Sequence, residues 1–170
     1  RTRSSFNPLW EPSVSGRCSA MRDGKERDPK VTHKIMSAIP PKDTKPEMML
    51  RRELWHRNLR YRVNYKELPG KPDIVFTRYR IAIFCDGDFW HGHNWAIRGM
   101  SSLDEELEGY SDFWRSKILR NIARDDEVNH ALDYMGWTVI RIWESDIKND
   151  ITACVQRVIS ELNKSGMTTK

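Results

Sequence analysis

Cysteine is scarce in this chain: its 170 residues hold three, Cys18, Cys85 and Cys154. They are too scattered for a disulfide framework and form no CxxC pair, so reduced thiols in a cytoplasmic protein are the default. Long apolar runs are also lacking. None approaches the roughly 18 residues of a membrane-spanning helix, and the N-terminus has no apolar signal-peptide core, so a soluble, unsecreted protein is expected. No internal repeat is visible, and the length suits one domain with an ordinary core. Charge, by contrast, is plentiful. The 29 Lys and Arg exceed the 24 Asp and Glu for a net of +5, and the pI is near 9.2. That balance suits a polyanionic partner without requiring one.

The chain is organised around residues 68–93, LPGKPDIVFTRYRIAIFCDGDFWHGH. A Pro/Gly approach leads into a strand from Asp73, a tight reversal at Arg78 and Tyr79, and a second strand from Arg80 to Cys85. A two-residue hairpin between Thr77 and Arg80 pairs Val75 with Ala82 and sets Asp73 opposite Phe84. Asp73 then meets Cys85 and Asp86 at one end of the sheet, a place for a hydrolytic metal. Asp86 shares the parity of Phe84 and would point to the face of Asp73. The unbroken apolar IAIF implies a strand covered on both faces.

Residues 1–28, rich in Arg, Ser, Gly and Pro, read as a flexible tail. One domain is expected over 29–164, followed by a short tail at 165–170. Residues 29–39 suit a short helix stopped by Pro40 and Pro41. Thr44 to Glu47 is a capping-box signature opening a helix to about Asn58, and Tyr61 to Tyr65 alternate as a strand. The acidic run Asp104, Glu105, Glu106, Glu108 and Asp112 reads as a solvated loop or short surface helix. Residues 113–135 carry the longest helical pattern, with Ile118, Ile122, Val128, Leu132 and Met135 as its buried stripe and Gly136 as its cap. Trp114, Lys117, Asn121 and Asp125 flank that stripe at spacings of three or four, so they can address one site. TVIRIW is a further strand and 151–162 an amphipathic helix. This order indicates an α/β layer fold with a mixed sheet.

Pro-Asp opening one strand and polar groups closing the next is the pattern of the PD-(D/E)XK nuclease superfamily. The ordered blocks DTKPE, LPGKPD, FCDGDFWHGH, FWRSKILRNIARD and GWTVIRIWE closely resemble the very short patch repair endonucleases over about residues 30–146. The resemblance implies a restriction-endonuclease-like three-layer fold, with a central mixed β-sheet flanked by helices. It implies a monomeric enzyme on double-stranded DNA, nicking one strand beside a T:G mismatch with Mg²⁺ and leaving a 5′-phosphate and a 3′-hydroxyl. By the same resemblance the Mg²⁺ ligands are Asp73 and the Cys85 carbonyl, and His91 is the general base, interacting with Asp125. Glu47 becomes an active-site carboxylate holding water at the metal. Phe89, Trp90 and Trp114 intercalate beside the mismatch, Met36 wedges in from the minor-groove side, and Lys117 and Asn121 join Trp114 on the DNA-facing stripe.

Plainer readings stand beside these. Glu47 can be a helix cap, Met36 can pack with Ile35 and Ile39, Asp125 can pair with Arg124 or Lys117, and the aromatics can be ordinary core. The family's best-known members bind a structural zinc, but the corresponding positions here are Asp88, His93, Trp95 and Ser145. One imidazole and one carboxylate make no closed tetrahedral site. No structural zinc is expected, with hydrogen bonds holding His93 and Trp95 packing in its place. Two other functions remain: a restriction or nicking endonuclease acting on matched DNA, and a DNA-binding or partner-binding module without catalysis. The set Glu47, Asp73, His91 and Asp125 weighs against the second.

Overall fold

The unbroken apolar strand at the centre of the sequence is also the centre of the fold. The computed structural model describes residues 43–167; the expectations for residues 1–28, for the 29–39 helix and for Met36 fall outside them. In chain order the elements are α1 (Lys45–His56), β1 (Arg62–Val63), β2 (Ile74–Phe76), β3 (Ile81–Asp86), α2 (Asn94–Arg98), α3 (Leu103–Glu108), α4 (Asp112–Tyr134), β4 (Thr138–Trp143), α5 (Glu144–Asn149) and α6 (Ile151–Lys164). The strands lie in the order β1-β2-β3-β4. The first two pairings are antiparallel and β3–β4 is parallel. A parallel neighbour needs a long crossover, and α2, α3 and α4 supply it.

Alternation along β3 builds a core on each side of the sheet. Ile81 and Ile83 join Ile74, Phe76, Ile140 and Ile142 against Leu50 and Leu54 of α1, Ile147 of α5 and Val155, Val158 and Leu162 of α6. Ala82 and Phe84 join Val75, Leu68 and Leu132, with Val128 and Trp137 packed alongside. The sheet is therefore covered on both faces, a mixed α/β layer arrangement.

The β2–β3 register is the expected one, with Val75 opposite Ala82. The reversal itself differs. The last pair is Phe76 with Ile81, and the loop is a 3₁₀ turn over Thr77–Tyr79 closed by Arg80 in the left-handed region, φ 51°. Lengthening the loop by one residue on each side leaves every pair above it unchanged. β1 is shorter than the alternation of 61–65 suggested, because Asn64 turns to φ 47°. The Asn64 and Tyr65 amides nonetheless reach the Asp73 and Pro72 carbonyls at 3.1 Å each.

The stripe of α4 is narrower than its spacing implied: Ile118 and Leu132 are buried, whereas Met135 lies past the last helical residue and is 43% exposed. The acidic segment is also not simply solvated. Leu107 turns inward and carries Glu106 with it, leaving Glu106 3% exposed and bonded to the Tyr110 hydroxyl at 2.6 Å. α5 was not anticipated; it follows β4 directly and buries Ile147.

Candidate active site

At the margin of β2, Asp73 donates its amide to the Ile83 carbonyl at 3.0 Å and accepts from Asn64 on its own carbonyl. Its backbone is fixed from both neighbouring strands. The carboxylate turns toward β3, where Oδ2 accepts from the Cys85 amide at 2.8 Å. Burial, opposed by that amide and reinforced by the charges of Glu47 and Asp86, pushes the Asp73 carboxyl up to about 6. Burial and the charges of Asp73, Glu47 and Asp86 push the Cys85 thiol well up too, which keeps it protonated, and the Cys85 group that meets Asp73 is its amide.

A desolvated carboxylate crowded by like charge fits a hard divalent cation. Among the described residues no three or more His, Cys, Asp and Glu side chains are arranged around one metal position. One carboxylate beside an open cavity suits Mg²⁺, which keeps most of its shell as water and phosphate oxygens.

Across the cavity stands His91. Its Nδ1 meets Asp125 Oδ2 in a short contact, and its Nε2 lies 4.0 Å from Asp86 Oδ1. For Asp125, burial is outweighed by the His91 hydrogen bond and by the charges of His91, Arg141 and Arg124, which hold its carboxyl below the usual range. Asp125 is thus the acceptor and Nδ1 the protonated nitrogen. The surface pairing with Lys117 is not formed: the ion pairs of Asp125 are with His91 and with Arg141 Nη2, at 3.3 Å. Asp73, Cys85, Asp86, His91, Asp125 and Arg141 line one cavity of about 630 Å³, rimmed by Lys66, Lys71 and Arg124.

Two glycines let the walls close. Gly70, at φ +72°, passes so near α4 that a Cβ would sit 2.6 Å from Val128 Cγ1; at Gly92, φ +69°, one would sit 2.8 Å from Ile122 Cδ1. The second approach lays the His91 loop on α4, within reach of Asp125.

Glu47 is 2% exposed and already engaged. Its Oε2 accepts from the Thr44 amide at 3.2 Å, the capping arrangement, while Oε1 contacts Arg51. Arg51 in turn reaches the Asp73 carbonyl at 3.4 Å. Among the described residues Glu47 is not one of those lining the cavity, but its charge acts on Asp73 and Cys85.

The aromatic residues gather at the mouth of the His91 loop. Phe89 lies 5.2 Å from Trp90 and 5.4 Å from Trp114, and Trp90 lies 5.5 Å from Trp114. Lys117 Nζ stands 4.6 Å over the Trp90 ring. Trp114 is 7% exposed and forms the floor of the cluster. Asn121 donates to the Trp90 carbonyl at 3.0 Å, so its amide braces the loop.

Asp88 and Ser145 cross-link that loop to the first turn of α5. The Asp88 carboxylate, 6% exposed, accepts from the Ser145 amide at 3.1 Å and its hydroxyl at 2.8 Å. Burial raises its carboxyl despite the Ser145 bonds. His93 is held by its amide on the Asp88 carbonyl at 2.8 Å and by its ring stacked on Trp143 at 4.2 Å. Asp88→Ala is expected to lower the unfolding free energy in urea titrations by about 1–3 kcal/mol. Ser145→Ala, which keeps the amide donor, should lose about 1 kcal/mol.

Sequence reasoning did not find Arg141, Arg51 or the basic rim. For Arg141 the signal was present: a lone charge inside apolar TVIRIW needs a buried partner.

The sequence matches the family model for the DNA mismatch endonuclease Vsr over residues 25–97. It is 42% identical over 130 residues to the Type II nicking enzyme V.NmeDIP of Neisseria meningitidis serogroup C, covering 76% of this chain and 84% of the relative. To the Type II nicking enzyme V.HpaIIP of Haemophilus parainfluenzae it is 46% identical over 106 residues, 62% of this chain and 72% of the relative. To the DNA mismatch endonuclease Vsr of Escherichia coli (strain K12) it is 36% identical over 115 residues, 68% of this chain and 70% of the relative. With its mixed sheet and a carboxylate at the strand margin, the chain belongs to the Vsr, or very short patch repair, family of DNA endonucleases.

Proposed function

We propose that this endonuclease acts as a monomer on double-stranded DNA and hydrolyses one strand beside a T:G mismatch with Mg²⁺. The observation that carries the reading is the meeting of Asp73 and the Cys85 segment on one wall of the cavity with His91, backed by Asp125, on another. Mg²⁺ held by the Asp73 carboxylate and the Cys85 carbonyl would supply positive charge against the charge developing on the phosphorus oxygens. His91 keeps its Nδ1 proton on Asp125, which leaves Nε2 to take the proton of the attacking water. Asp125 fixes the ring and stabilises the imidazolium that forms. The products are a 5′-phosphate and a 3′-hydroxyl.

Lys66, Lys71 and Arg124 suit the phosphates flanking the scissile bond. Phe89 and Trp90 form a wedge that replaces base stacking beside the mismatch, with Trp114 as its floor and Lys117 beside it for the backbone. Glu47 acts through Arg51 as a brace on Asp73.

A second reading keeps this chemistry and changes the substrate to matched DNA: relatives 42% and 46% identical to the chain are named Type II nicking enzymes, a name that specifies nicking and no mismatch. Strand-specific nicking of T:G and T:A duplexes of otherwise equal sequence separates the two. The mismatch reading expects at least ~100-fold faster nicking of T:G, a barrier difference of about 2.7 kcal/mol. Equal rates would establish the matched-duplex enzyme.

A further inference from the structure

We propose that Arg141 is a positioning residue for cleavage: by clamping Asp86 and Asp125 together it keeps the His91 ring with Nδ1–H on Asp125 and Nε2 clear of Asp86. The inference rests on the reading of His91 as the base.

Arg141 lies on β4 opposite Phe84, and its guanidinium stands 4.6 Å from the centre of the Phe84 ring. Nη1 bonds both oxygens of Asp86, at 3.0 and 2.8 Å. Nη2 is 3.3 Å from Asp125 Oδ1 and 3.5 Å from the Asp125 carbonyl, and Nε donates to Asn129 Oδ1 at 3.0 Å. All three nitrogens are occupied within the protein, which argues against a phosphate contact. By holding Asp125 Oδ1, Arg141 leaves Oδ2 facing His91 Nδ1. By neutralising Asp86 it removes a competing acceptor 4.0 Å from Nε2.

The charged groups around the ring are Asp86 from β3, Asp125 and Arg124 from α4, Arg141 from β4, Asp73 from β2, and Lys66 and Lys71 from the segment between β1 and β2. Asp86 is 4% exposed. Among these groups Arg141 alone bonds two of the carboxylates. Without it, Asp86 would be left with Nε2, 4.0 Å away, as a partner, and a ring that turns its N–H to Asp86 has no free Nε2 lone pair for the water's proton.

The test compares wild type, Arg141→Gln and Arg141→Lys in two ways. Nicking of the T:G duplex with Mg²⁺ is measured over a DNA titration, and ring-nitrogen NMR of His91 is recorded without DNA or metal. Arg141→Gln is expected to lose about 100-fold in kcat with KM unchanged. Its ring should move from the single Nδ1–H tautomer toward the Nε2–H tautomer. Arg141→Lys, keeping the charge without the bidentate grip, should lose about 10-fold in kcat.

A wild-type kcat for Arg141→Gln, a raised KM with kcat intact, or a wild-type ring spectrum overturns the proposal. If Arg141→Gln does not fold, Arg141→Lys decides: a kcat loss with unchanged KM supports the clamp, and wild-type kcat or raised KM overturns it. Should the wild type nick no duplex, the reading of the site fails, while the ring-nitrogen comparison still decides the role of Arg141.

Discussion

Asp73→Asn is expected to make the metal-free protein more stable at pH 7.5, by up to about 3 kcal/mol, while removing its response to Mg²⁺. The sign follows from the Asp73 carboxyl, which stands at about 6 in the fold against an ordinary value near 3.9 when unfolded. Between those values the folded state binds the proton and the unfolded state does not. Stability therefore falls as pH rises from about 4 to about 6 and stays at the lower level above. Asn has no charge to bury, and its amide oxygen still accepts from the Cys85 amide. Mg²⁺ should raise the Tm of the wild type at pH 7.5, where it meets an ionised ligand, and much less at pH 5. Thermal unfolding of both proteins at the two pH values, with and without Mg²⁺, checks each part. A less stable Asn variant that still responds to Mg²⁺ would place the cation elsewhere.

Asp125→Asn should have the opposite effect on stability and a large one on rate. The Asp125 carboxyl is held below the usual range, so its ionised form contributes stability at neutral pH that is lost as pH falls through its folded value. Replacing it breaks contacts to His91 and Arg141 together. An Asn side chain can present its amide N–H to Nδ1, which leaves the proton on Nε2, the wrong nitrogen for a base. Nicking at saturating DNA is expected to fall by about 10²–10⁴-fold with little change in KM. Single-turnover rates over a DNA titration measure this directly.

The backbone of this site was legible because local rules agreed. Pro72-Asp73 started a strand, IAIF required cover on both faces, and any symmetric turn between Thr77 and Arg80 brought Asp73 to Cys85. The register survived a misjudged loop because pairing depends on the sum of the two residue numbers. The Thr44–Glu47 cap and the limits of β4 followed from similarly local chemistry.

Side-chain commitments were not legible, because they depend on distant partners. Glu47 met both its cap and Arg51 within one turn, but what ties that pair to the site is the reach of Arg51 to the Asp73 carbonyl, 22 positions on. Asn121 turned to the Trp90 carbonyl, 31 positions earlier in the chain. Arg141 became the link between Asp86 and Asp125 only once the crossover of α2 to α4 laid β4 parallel to β3. No helical or strand period encodes such a meeting, and a lone arginine among β-branched residues announces a partner without naming it.

The central claim is that Asp73 and His91 form one metal-dependent phosphodiesterase site. The measurement that bears on it most directly is single-turnover, strand-specific nicking of a T:G duplex by wild type, Asp73→Asn and His91→Ala, each in Mg²⁺ and in EDTA. The expected result is nicking by the wild type in Mg²⁺ alone, with each substitution slowing it by at least ~10²-fold while the variants stay folded. Nicking that persists in EDTA, or at the wild-type rate in folded Asp73→Asn, would contradict the account.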